Sequence, residues 1–199
     1  DLGITHVQLM PVYDFGSVDE KHPELVYNWG YDPVQYNVPE GSLSSDPHNP
    51  YSRIFELQDA IAAYHKADMS VIMDVVYNHV YEADNYAFEK IVPGYFYRLD
   101  ERGIRTNGTF CGNDVASEKA MVRHYIQQSV QQWVRLYGFD GFRFDLMGIL
   151  DITTMKQIAQ ELKAIHPNTY LYGEGWQMPT GLDSDLLSHQ FNAEQLPES

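Results

Sequence analysis

The chain has 199 residues, 44% hydrophobic and 21% charged, with a net charge of −15. Such a length buries a sizeable core within one domain. The acidity argues against nucleic acid or an anionic membrane as partner, because both are held largely by Lys and Arg clusters. A neutral ligand is easier to reconcile with it.

A single cysteine, Cys111, excludes an internal disulfide framework and leaves the redox compartment open. No run approaches the ~20 apolar residues that a bilayer requires, and residues 1–7 lack a basic patch followed by an apolar core. No signal peptide is therefore visible. The expectation is a soluble protein, cytoplasmic or secreted, with its oligomeric state open. Without an initiator Met, the chain reads as starting inside a longer protein.

In chain order, residues 6–12 form a short apolar run closed by Pro11 and predict a buried strand of a parallel sheet. Residues 13–51 show no sustained period and predict a long functional loop. Ser52 is a candidate cap for a helix carrying Ile54, Leu57, Ile61 and Tyr64 on one face. Residues 71–79 are strongly β-forming, with Asp74 inside the apolar run, and residues 80–116 make a second long excursion. A helix opening at Ser117 with a stripe from Val122 to Tyr137 stops at Gly138. A strand follows over 141–145, then a helix from about Thr154 to Pro167, then a last strand over 169–176.

Strands alternating with helices imply βαβ units and a parallel sheet, either doubly wound or closed into a (β/α)8 barrel. The long loops at the C-terminal strand ends favour the barrel, because barrel enzymes build active sites there. No glycine-rich phosphate turn follows the first strand. The expected fold is α/β: a fragment of a (β/α)8 TIM barrel, its second to fifth βα units, spanning residues 1–199. Its first and last strands would be open edges, so the chain alone is expected to be molten and without turnover.

Polar residues end three of the strands: Asn78 and His79, Arg143 and Asp145, then Glu174. In Gly141-Phe-Arg-Phe-Asp145, a period of two puts Arg143 and Asp145 on one face and both Phe on the other. A buried structural ion pair is the plain reading of that strand alone. Two carboxylates about 5–5.5 Å apart can also hydrolyse a glycosidic bond with retention, one attacking the anomeric carbon and one protonating the leaving oxygen. Arg143 would keep Asp145 ionised, and Glu174, between two Gly and beside Trp176, would be desolvated enough to act as the acid.

Asp74-Val-Val-Tyr-Asn-His79, Gly141-Phe-Arg-Phe-Asp145 and Gly173-Glu-Gly-Trp176 resemble three motifs of the α-amylase superfamily of glycoside hydrolases. Tyr27-Asn-Trp-Gly-Tyr-Asp-Pro33 and the segment from Gly108 to Glu118 resemble type I pullulanases, which cleave α-1,6 branch linkages. The resemblance implies Asp145 as nucleophile, Glu174 as general acid/base, and Arg143 orienting Asp145 with Asp74 as a second partner. It further implies that His79 bonds a sugar hydroxyl, that Tyr31 stacks beneath the ring, and that Trp176 and Asn113 line nearby subsites. Trp29 reads as loop packing. Asn78 matches a position that ligates calcium in some members. Calcium is thus possible, but no set of 6–8 oxygen ligands can be assembled, and no metal or other cofactor is required. The implied partner is an α-glucan. The third catalytic Asp of the superfamily has no matching motif in residues 177–199. An isoamylase-like or α-1,4-acting hydrolase and a non-catalytic glucan-binding protein are the alternatives.

Overall fold

The structure is a computed structural model and describes residues 2–197. In chain order the elements are β1 (His6–Leu9), β2 (Tyr13–Phe15), β3 (Pro33–Pro39), α1 (Pro50–Lys66), β4 (Ser70–Val75) and α2 (Ala87–Ile91). Then come α3 (Ala120–Gln132), β5 (Gly141–Phe144), α4 (Ile152–Ile165) and β6 (Tyr170–Gly173). The mixed α/β expectation holds: β1, β4, β5 and β6 form one sheet in that order, every pair parallel.

Alternation along the strands divides the sheet into two faces. Val71, Met73 and Val75 of β4 and Phe142 and Phe144 of β5 belong to the hydrophobic core and are fully buried. Burial of each such side chain contributes roughly 1.5–3 kcal/mol. The opposite face carries Gln8, Asp74, Arg143 and Tyr172, and in register Asp74 pairs with Arg143 and Arg143 with Tyr172. Tyr172 on one outer strand donates its hydroxyl hydrogen to Oε1 of Gln8 on the other. The sheet is therefore curved enough for its edge strands to touch across this polar face.

Several boundaries differ from the sequence reading. The first strand ends at Leu9, because Pro11 has no N–H for the ladder, and the Val12 carbonyl accepts the Glu40 N–H instead. Residues 13–51 hold an antiparallel β2–β3 hairpin in which β2 is short, β3 is bounded by Pro33 and Pro39, and the pairing is interrupted by two register shifts. No clean alternation marked it. The hairpin matters to the site, since buried Tyr36 donates its hydroxyl hydrogen to the His79 carbonyl at 2.6 Å.

Asn49, with Pro50 at the first helical position, caps α1, its side chain accepting the Tyr51 N–H. Ser52 lies inside that helix. Ser117 caps nothing: its hydroxyl accepts the Asp151 N–H at 2.9 Å, and α3 begins three residues later. Gly138 does end that helical run, in a left-handed conformation with φ of 81°. The 80–116 excursion contains α2 and two isolated bridges, Tyr97 to Val115 and Leu99 to Arg105. Among the described residues no helix is long and apolar enough to cross a membrane.

Candidate active site

The C-terminal ends of β4, β5 and β6 bring three carboxylates onto one guanidinium. Nη1 of Arg143 lies 2.9 Å from each oxygen of Asp74 and 3.2 Å from Oδ1 of Asp145. Its Nη2 lies 2.5 Å from Oε1 of Glu174. Asp74 is fully enclosed, the Asp145 side chain is 13% exposed and that of Glu174 is 30% exposed. The cluster thus opens outward from Asp74 to Glu174.

Backbone geometry makes that approach possible. Straight after Asp145 the chain turns at Leu146, a left-handed residue with φ and ψ both 42°, and its N–H donates to Oε2 of Glu174 at 3.1 Å. A non-glycine residue there costs about 1–2 kcal/mol. The Gly148 N–H donates to the Glu174 carbonyl, and a Cβ at Gly148 would stand 2.0 Å from the Trp176 carbonyl oxygen. Only glycine lets the segments after Asp145 and Glu174 pack this closely.

The electrostatics revise the expected division of labour. Asp74, not Asp145, is the closer partner of Arg143, because the register aligns Asp74 with it across strands. Burial pushes Asp145 up to about 6; the Asn78 hydrogen bond pulls it down, the Glu174 charge raises it, and Arg143 lowers it. Arg143 does not offset burial enough to hold Asp145 in the usual carboxylate range. Burial also raises Asp74, against its bonds from Arg143 and Tyr31. Arg143 is raised despite its own desolvation, by hydrogen bonding to Asp74 and by the three acidic charges. The desolvated member of the expected catalytic pair is therefore Asp145, while Glu174 is the most open of the three.

Tyr31 stands over this group, donating its hydroxyl hydrogen to Oδ2 of Asp74 at 2.8 Å. Gln8 donates to the same oxygen at 3.4 Å. His79 is buried; its Nδ1 lies 2.6 Å from Oδ1 of Asn78 and its Nε2 lies 3.0 Å from the Tyr31 carbonyl oxygen. Burial drives this imidazole down to about 4. Trp176 is exposed on the rim.

Asn113 does not join the cluster. It is buried, and its amide is occupied by the Val80 backbone, accepting the N–H at 3.0 Å and donating to the carbonyl at 2.8 Å. Its neighbour Asp114 gathers the Gly108 and Thr109 N–H groups and the hydroxyls of Thr106 and Thr180. These contacts fold the 108–118 segment and tie it to the loop after β6. Trp29 is exposed, in edge contact with the still more exposed Tyr27, rather than packed into a loop.

Asn78 was legible as a polar residue at a strand end and as a calcium-ligand match, with no catalytic role assigned. It is buried, and its Nδ2 donates to the carbonyl and to Oδ2 of Asp145 at 2.8 and 2.9 Å. Elsewhere, Asp14, Glu20 and Glu40 bring carboxylate oxygens within 4.8 Å of one another. Arg53 already supplies a cation to Glu20, however, and both oxygens of Glu40 accept backbone N–H groups.

No family model matches the chain. A pullulanase of Bacillus subtilis strain 168 is 48% identical over 197 residues, which is 99% of this chain and 27% of the relative. Pullulanase A of Streptococcus pneumoniae strain D39 is 38% identical over 95% of this chain and 16% of its own length. The crystal structure of a Paenibacillus barengoltzii pullulanase in complex with maltohexaose and α-cyclodextrin superposes with a TM-score of 0.96 at 53% identity. It covers 98% of this chain and 31% of that one. A pullulanase type I from B. subtilis complexed with maltose gives a TM-score of 0.97 at 48% identity. The chain spans about a quarter of the length of the B. subtilis relative. Over nearly all its residues it is a homologue of the type I pullulanases, matching one part of them.

Proposed function

We propose that this chain is part of a pullulanase-type debranching enzyme, a retaining glycoside hydrolase that cuts α-1,6-glucosidic linkages in pullulan, amylopectin or related α-glucans. The observation that carries the reading is the group of three carboxylates on Arg143 at the ends of adjacent parallel strands. Homology to pullulanases, some solved with maltooligosaccharides, supports the substrate class.

In this reading residues 1–199 are part of a (β/α)8 barrel, with 80–116 as a long loop over its catalytic rim. The curvature that joins Gln8 to Tyr172 supports a closing sheet. The remaining strands and the third catalytic Asp belong to the rest of the protein.

Asp145 attacks the anomeric carbon as the glycosidic C–O bond breaks, and Glu174 gives its proton to the leaving oxygen. A water, deprotonated by the Glu174 carboxylate, then cleaves the Asp145 ester and returns the anomeric configuration to its starting hand. With Asp145 at about 6, the nucleophile is ionised at neutral pH. Glu174 lies 2.5 Å from Arg143, so the acid role requires its carboxyl to draw away from the guanidinium as sugar binds. Tyr31 and Trp176 offer ring faces to the sugar, and His79 would meet a hydroxyl. Asn113 acts at one remove, by holding the loop at Val80.

The test is to incubate the full-length protein with pullulan and follow products by proton NMR and chromatography. Maltotriose released first as the α-anomer is the expected result. Cleavage at α-1,4 bonds, or binding without cleavage, would overturn the debranching reading.

A further inference from the structure

The side chain that touches Asp145 most closely is not Arg143 but Asn78, and its environment leaves it one orientation. Nδ2 of Asn78 donates both to the Asp145 carbonyl at 2.8 Å and to Oδ2 of its carboxylate at 2.9 Å. On the other side of the amide, Oδ1 lies 2.6 Å from Nδ1 of His79. A flipped amide would set an oxygen against the Asp145 carboxylate and an N–H pair against the imidazole, losing all three contacts. The short His79 contact fixes the proton on Nδ1. His79 is steadied in turn by the Tyr36 hydroxyl, which donates to its carbonyl.

The two carboxylate oxygens of Asp145 therefore have different holders, Arg143 on Oδ1 and Asn78 on Oδ2. We propose that Asn78 is a positioning residue for the nucleophile: clamped by His79, it fixes the plane of the Asp145 carboxylate. This rests on the reading of Asp145 as nucleophile. A donor shared between the carbonyl and the carboxylate of one residue restrains χ1 and χ2 together, which a single contact from Arg143 does not. The amide is buried, with Nδ2 directed at Asp145 and Oδ1 at His79.

The groups around Asp145 are Asp74 on β4, Arg143 on β5, Glu174 beyond β6, Tyr13 on β2, Tyr31 before β3, and Cys111 in the excursion. Asp74 and Glu174 disfavour its charge, and Arg143 favours it. Removing the Asn78 donor destabilises the carboxylate, so its pKa rises and the acid limb of kcat/KM moves upward.

The experiment compares full-length wild type with Asn78→Ala, Asn78→Asp and Asp145→Asn on pullulan, across pH 4–9, with melting curves for each. Loss of a hydrogen bond to a charged group predicts a fall in kcat of roughly 10- to 100-fold in Asn78→Ala, with KM moving far less. The acid limb should shift upward by about one pH unit, and further in the isosteric Asn78→Asp. If Asn78→Ala does not fold, Asn78→Asp carries the test through the same limb. An unshifted acid limb and wild-type kcat, beside an inactive Asp145→Asn, would overturn the positioning role. A fully active Asp145→Asn would instead overturn the nucleophile reading beneath it.

Discussion

Replacing Arg143 by Met keeps the aliphatic stem and deletes the one cation that three carboxylates share. Asp74 loses two contacts of 2.9 Å, Asp145 one of 3.2 Å and Glu174 one of 2.5 Å. Removing one partner of a buried ion pair costs about 3–5 kcal/mol. Because Asp74 is fully enclosed and also bonded by Tyr31, the upper half of that range is expected at pH 8. The deficit should depend on pH with a definite sign. Without Arg143 the folded pKa values of Asp74 and Asp145, already raised, rise further above the unfolded value near 3.9, and protons bound in the folded state then favour it. Stability is therefore fully retained below the unfolded pKa and lost as pH rises through the folded ones. Melting of full-length wild type and Arg143→Met at pH 5 and pH 8 reads this directly. The variant should lie well below wild type at pH 8 and approach it at pH 5. An equal deficit at both pH values would show that the lost term is packing, and the shared-cation account would be wrong.

Asp145 at about 6 predicts an acid limb of kcat/KM centred near that pH, below which activity falls about tenfold per unit; a limb near 4 would contradict the burial of the nucleophile. Gly148→Ala should cost several kcal/mol and abolish turnover, since its Cβ meets the Trp176 carbonyl oxygen at 2.0 Å; calorimetry and a pullulan assay check it, and a wild-type melting point would refute it. Expressed alone, the 199-residue chain should bind a hydrophobic dye and melt without a sharp transition. Both outer strands, β1 and β6, have unpaired edges among the described residues and are at most half-buried; a single cooperative transition would contradict that expectation.

The elements most legible in the sequence were those whose chemistry is local. A β-branched run with a central Asp marked β4, and the Phe, Arg, Phe, Asp alternation marked β5 and assigned its two faces. The hairpin of β2 and β3 was hidden because β2 is only three residues long, β3 carries Pro at both ends, and their pairing shifts register twice. Cross-strand partners were hidden for another reason. Spacing along one strand pairs Arg143 with Asp145, two residues away, whereas the sheet register places Asp74 closer. Burial is likewise set by the fold: the sequence favoured Glu174 as the desolvated carboxyl, and the structure buries Asp145 more deeply. Asn113 belongs to a motif beside the site, yet a motif does not say which way an amide points, and this one points at Val80. The signal for Asn78 was present in its place directly before His79.

The central claim is that Asp145 and Glu174 perform the two halves of one glycosidic cleavage. Its most direct test is the full-length protein on pullulan beside Asp145→Asn and Glu174→Gln. The account predicts that wild type releases maltotriose and that each variant, folded as judged by melting, loses most of kcat. A wild type that binds pullulan without cutting it, or a variant that keeps wild-type kcat, would contradict it.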